Sequence, residues 1–142
     1  MVDKHSIIDY LLLAIFVVSL LSSLALVSKS SSGFCVSPTS CDLVQSSEYA
    51  YTFGIKNNYY GVVAFAILTV MTVLHILKPS VEKARVIKAG VIFGSLIAIY
   101  FIFLQVFVIK AFCTYCMVID VSLILGLILV ILHSRKSLWK GS

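Results

Sequence analysis

Residues 110–134 read KAFCTYCMVIDVSLILGLILVILHS. From Cys113 to His133 the only charged side chain is Asp120, and the run is as long as the roughly 20 residues a helix needs to cross the hydrocarbon of a bilayer. The same stretch opens on a C-x-x-C pair. Spanning length and paired thiols therefore coincide, and both guide the reading of the rest of the chain. Three more apolar runs of spanning length lie upstream, at 7–27, 59–77 and 86–109, with Asp9, His75 and Lys88 as their ionisable residues, each near an end. The expectation is an all-α integral membrane protein, a bundle of four transmembrane helices at 7–27, 59–77, 86–109 and 113–133, folded as one domain over residues 1–142.

Composition agrees. Of 142 residues, 61% are hydrophobic and 12% charged, against about 25% charged in a soluble domain. Too little polar surface exists to clothe a water-soluble globule. Alternating barrel-type patterning is absent, so helices must satisfy the backbone inside lipid. The first run is read as a retained span, because it is longer than the apolar core of a cleaved leader and no convincing small-residue cleavage site comes after it. Lysine and arginine set the orientation. Lys4, Lys78, Lys83, Arg85, Lys88, Arg135, Lys136 and Lys140 fall on one side; Lys29, Lys56 and Lys110 fall on the other. Both termini are therefore expected in the cytoplasm. The net charge of +5 reads as a topology signal and a contact with membrane lipid, not with nucleic acid, since no basic face with interleaved aromatics lies outside the spans.

This topology gathers all four cysteines on the outer side. Cys35 and Cys41 lie in the outer loop, residues 28–58, and enclose the turn-like VSPTS. Cys113 and Cys116 open the fourth span, where a three-residue spacing puts them on one helical face near first-turn amides that favour a thiolate. Disulfides persist outside the cytosol. A C-x-x-C pair serves thiol–disulfide exchange or metal binding. A redox relay, two structural disulfides, a four-thiolate zinc site and inert buried thiols are the competing readings. The relay uses every feature together, with one pair exposed to a protein partner and one pair at the membrane. A C-x-x-C at the lipid boundary suits zinc poorly, and no metal is expected.

Asp120 lies four residues beyond Cys116, about 6 Å deeper on the same face. An ionisable group inside a span is a functional candidate by default; the competing reading is a hydrogen bond to a neighbouring helix, for instance to Gln105. His5, His75 and His133 fall toward the cytoplasmic side and read as interfacial. In the outer loop Leu43, Val44, Ser47, Ala50 and Tyr51 share a helical face. They predict a short amphipathic helix over the bundle mouth. The tyrosines of this loop and of NNYYG match an interfacial aromatic belt. Gly90 and Gly94 form a G-x-x-x-G that permits close helix packing. Trp139 sits in a basic, interfacial tail.

The ordered set of a loop cysteine pair, CDLVQSSEYAYTFGI from Cys41, NNYYG from Asn57 and CTYC from Cys113 resembles the vitamin K epoxide reductase family in a short single-domain form. The resemblance spans the whole four-helix unit. It implies that Cys113 and Cys116 are the active pair, with Cys116 facing the quinone, and that Cys35 and Cys41 are the loop pair that shuttles electrons. It further implies that Ser47 lies near the active pair, that Asn57 hydrogen-bonds the quinone and that Phe53 walls the pocket. Two departures stand out. Only five residues separate the loop cysteines, fewer than in vertebrate members, and Asp120 stands where those enzymes have a tyrosine. Both point to a prokaryotic-type member acting on protein thiols.

The resemblance thus implies a quinone-coupled thiol–disulfide oxidoreductase supporting disulfide formation. Its expected electron acceptor is a quinone of the ubiquinone, menaquinone or vitamin K type. Its expected partner is a separate thioredoxin-like extracytoplasmic protein. Its expected place is the prokaryotic cell membrane, or the endoplasmic reticulum membrane in a eukaryote, with the active site on the extracytoplasmic side. A true vitamin K epoxide or quinone reductase, the convergent four-helix disulfide-generating protein of bacteria, and a non-enzymatic four-span protein with two structural disulfides are the alternatives.

Overall fold

A computed structural model describes residues 4–28 and 47–140. The loop cysteines Cys35 and Cys41, with Leu43 and Val44, lie outside the described residues. Four long helices dominate: α1 (Lys4–Val27), α2 (Asn57–Leu77), α3 (Val81–Phe103) and α4 (Thr114–Lys140). All four are long and apolar enough to cross a membrane, over Ile7–Val27, Asn57–Leu77, Val81–Ile109 and Thr114–Ser134. α1 packs on α2 and α4, and α3 packs on the same two, so the bundle closes as a ring. Phe16, Phe65, Leu68, Val91 and Leu123 meet along its axis. Side chains such as Val63, Ile67, Phe93 and Leu96 point outward and are exposed, as lipid-facing positions require.

The third span begins five residues before its expected start at 86. Glu82, Lys83 and Arg85 make its first turn look like loop by composition, yet Ala84 N–H already bonds the Ser80 carbonyl at 3.1 Å. Pro79 is the reason the break falls where it does. It disfavours helix at the preceding residue, and Lys78 is accordingly extended, with φ −138° and ψ 95°. Lys83 then reaches back from α3, its Nζ donating to the carbonyls of Lys78 at 3.1 Å and Leu74 at 3.4 Å. The orphan carbonyls that end α2 are thus served from the next helix.

Small residues set the spacing between helices. A Cβ on Gly90 would meet Leu68 of α2 at 2.7 Å, and one on Gly94 would meet Leu123 of α4 at 3.2 Å. The expected G-x-x-x-G contact is therefore double-sided, one glycine for each neighbour. Ser95 adds an interhelical hydrogen bond, its hydroxyl donating to the Leu123 carbonyl at 3.0 Å, the kind of polar link that holds helices together in lipid.

Two departures from regular helix frame the thiol end. α3 continues as a π-helical segment, Leu104–Ile109, and Lys110 then stops it in a left-handed conformation (φ 55°, ψ 33°). Before α2, the expected amphipathic helix is replaced, from Ser47 onward, by one 3-10 turn (Glu48–Ala50) and a hairpin of β1 (Tyr51–Thr52) and β2 (Ile55–Lys56). Phe53 and Gly54 form its two-residue loop, both with positive φ (54° and 81°), as a tight hairpin turn demands. β-branched and aromatic residues flanking a Gly turn favour strands, and this overrides the helical spacing of Ser47, Ala50 and Tyr51.

Candidate active site

Cys113 stands just ahead of α4, and its carbonyl accepts the helix-opening bond from Met117 N–H at 2.9 Å. Cys116 comes next, in the first turn. Both are thiols, with their sulfurs 2.8 Å apart. The spacing predicted one face, and the structure puts the pair in contact, so closure to a disulfide requires only a short approach to about 2.05 Å. Their exposures differ. Cys113 is fully buried in a cluster with Leu26 of α1 and Ala111, whereas Cys116 is half-buried beside it.

Behind the thiols lies a polar pair sealed from solvent, with Gln105 2% and Asp120 4% exposed. Gln105 comes from the π-helical segment. Its Oε1 accepts the Cys113 backbone N–H at 3.1 Å, and its Nε2 faces Asp120 Oδ2 at 3.4 Å. One side chain thus joins the start of α4 to a carboxyl one turn below Cys116. The hydrogen bond between Asp120 and Gln105, the competing reading of that carboxyl, is present. The sequence did not show that Gln105 also holds the backbone N–H of Cys113. The only available signal was an amide within an apolar run.

Two serine hydroxyls, Ser19 and Ser23 on the inner face of α1, are buried with no hydrogen-bond partner among the described residues. Ser23 lies one turn further into the bundle than Leu26, which covers Cys113. A buried hydroxyl without a partner costs about 1–3 kcal/mol, and two on one face provide donors for a carbonyl oxygen.

The remaining predicted residues are spread over the hairpin that precedes α2. Ser47 precedes the 3-10 turn and accepts Ala50 N–H on its carbonyl at 3.0 Å. Asn57, the first residue of α2, is committed on both sides of its amide: Nδ2 donates to the Tyr49 carbonyl at 2.8 Å, and Oδ1 accepts from the Thr52 hydroxyl at 2.6 Å. It ties the hairpin to the helix. Phe53 sits at the hairpin tip, 95% exposed, outside the buried cluster. The structure therefore brings together Cys113, Cys116 and Asp120, and adds Gln105. It sets Phe53 in the hairpin and Asn57 where that hairpin joins α2.

A family model described as the vitamin K epoxide reductase family matches residues 7–131. No curated protein and no solved structure gives a significant match. The matched region runs from the first turns of α1 to near the end of α4 and includes every residue of the thiol cluster. The chain is a member of the vitamin K epoxide reductase family, an oxidoreductase family, built as a four-span integral membrane protein.

Proposed function

We propose that the protein is a quinone-coupled thiol–disulfide oxidoreductase that reoxidises a thioredoxin-like partner outside the cytoplasm. The observation that carries this reading is the contact between the Cys113 and Cys116 sulfurs over a buried Gln105–Asp120 pair, at one end of an apolar bundle. Thiols held at 2.8 Å are arranged to alternate between dithiol and disulfide.

In the proposed cycle the partner's dithiol reduces the Cys35–Cys41 disulfide, and its two electrons enter the loop pair. The Cys41 thiolate then attacks Cys113 of an oxidised Cys113–Cys116 pair, which releases Cys116 as a thiolate. Cys35 resolves the transient 41–113 bond, and the active pair is left reduced. A quinone, as electron-accepting substrate, supplies the two-electron sink that restores the Cys113–Cys116 disulfide. The residues fit such a substrate: Cys116 is the more accessible thiol, Ser19 and Ser23 on α1 carry hydroxyls with no partner among the described residues, and Asp120 is a carboxyl able to hold or release a proton. Gln105 fixes Cys113 by its amide, so the attacked sulfur keeps its place while its bond changes. Ser47, Asn57 and Phe53 belong to the outer element that would present the loop to its partner.

The test is purified protein in detergent with a dithiol donor and a soluble quinone, in the wild type and with Cys→Ser at each of the four cysteines. Turnover is expected to disappear with Cys116→Ser and Cys113→Ser. Loss of Cys35 or Cys41 is expected to abolish turnover with the protein partner, while a small dithiol that reaches the active pair directly still supports it. Quinone reduction that persists in Cys116→Ser removes the proposed role.

A further inference from the structure

The end of the bundle opposite the thiols holds an open cavity of about 610 Å³ to which all four helices contribute. Its lining divides by chemistry. Ile8, Leu12, Ile87 and Val130 are apolar; Asp9, His75, Arg85, Lys88 and His133 are ionisable. Val81, Ala84, Arg85 and Lys88 of α3 all line it, at the spacing that shares one helical face.

Charge is out of balance there. Among the described residues of the lining, Arg85 and Lys88 are cations and Asp9 is the single carboxylate. Lys88 is half-buried and lies about 10 Å along α3 from its first residue, within an apolar span. A cation there gains from a counter-charge, Asp9 can match one of the two, and Arg85 is exposed, so its charge is open to an anion arriving from the headgroup layer. Two further features favour an anion. Ser80, ahead of α3, makes no side-chain cap bond, and the first-turn acid of that helix, Glu82, is exposed and outside the cavity lining, so the backbone N–H groups at that end face the cavity. The Nδ1 of His75 accepts from Ser80 N–H at 3.4 Å, so a neutral His75 carries its proton on Nε2 and presents a donor.

We infer that this cavity binds the singly charged phosphodiester of an acidic phospholipid from the adjoining leaflet, with Arg85 and Lys88 on the phosphate and the apolar lining against the start of the acyl chains. One negative charge matches the deficit. The apolar share of the lining favours a phosphate that carries a tail over free phosphate. The site is independent of the thiol chemistry at the other end.

The experiment is native mass spectrometry of the full chain released from micelles containing equal phosphatidylglycerol and phosphatidylcholine, with inorganic phosphate added in a parallel arm. The wild type is expected to retain phosphatidylglycerol several-fold over phosphatidylcholine, and inorganic phosphate is expected not to displace it. Arg85→Gln and Lys88→Gln should each lower that preference several-fold, Arg85→Lys should keep it, and Asp9→Asn should raise it. The opposite sign of Asp9→Asn keeps the test decisive if Lys88→Gln fails to fold. Equal retention of the two lipids by the wild type overturns the proposal, as does a preference that ignores all of these substitutions. Displacement by inorganic phosphate alone would assign the site to free phosphate and overturn the lipid reading.

Discussion

Gln105 is the residue on which the site's geometry turns. Replacing it with leucine, similar in bulk, would leave the Cys113 N–H and the Asp120 carboxyl buried without their partner, at about 1–3 kcal/mol each. Gln105→Leu is therefore expected to lower the midpoint of thermal unfolding in detergent and to slow quinone reduction. A variant with unchanged midpoint and turnover would show that the amide is dispensable. Asp120→Asn keeps the shape and loses the ability to give up a proton. Its expected effect is slower turnover with an altered pH profile; an unchanged profile would reduce Asp120 to packing. The C-x-x-C and the intramembrane carboxylate were legible in the sequence, because both are rare against an apolar background. The link from Gln105 to the Cys113 backbone was not, because it depends on how the chain winds between them.

At the scale of elements, the spans were legible from hydropathy, and their ends were not. The charged first turn of α3 reads as loop because composition outweighs the stop signal at Pro79. The hairpin escapes the sequence for a different reason. Its loop carries Phe53 at φ 54°, where Asn or Gly is the usual residue, so the turn is poorly marked. A bulky residue held there is strained, and Phe53→Asn is expected to stabilise the protein by about 1 kcal/mol in thermal unfolding. No gain would mean that the ring's contacts offset the backbone cost. The C-terminal end of α1 bears on access to the site, since Leu26 packs against the fully buried Cys113. Cys35 follows Leu26 by nine positions in the sequence. In a Cys116→Ser background, Leu26→Ala should speed alkylation of Cys113 several-fold; an unchanged rate would show that another group seals it.

The whole molecule is a ring of helices held at short spacing by glycines, and its fold class could be read from length and apolar content before any contact was known. Which faces meet could not, since the apolar residues surround each helix and lipid-facing and core positions look alike. Gly90→Leu would drive a side chain into Leu68. It is expected to cost about 1–3 kcal/mol, read as a lower unfolding temperature in detergent. The proposed sidedness is checked on sealed right-side-out vesicles: after reduction, a membrane-impermeant maleimide should label the loop cysteines without permeabilisation. Labelling only after permeabilisation would invert the topology.

The π-helical winding of Leu104–Ile109 also bears on which changes in chain length the site can tolerate. A wide turn takes up one more residue than an ordinary one. Removing any single amino acid between Val106 and Ile109 would let the helix tighten to its usual pitch. The tightened turn would close the same revolution with one residue fewer, so the downstream chain would keep its heading and the sulfurs would stay by their amide anchor. A residue lost after the wide turn, between Lys110 and Phe112, would instead shorten the link that seats the Cys113 N–H on Gln105, so the segment that winds widely is the one with a residue to spare.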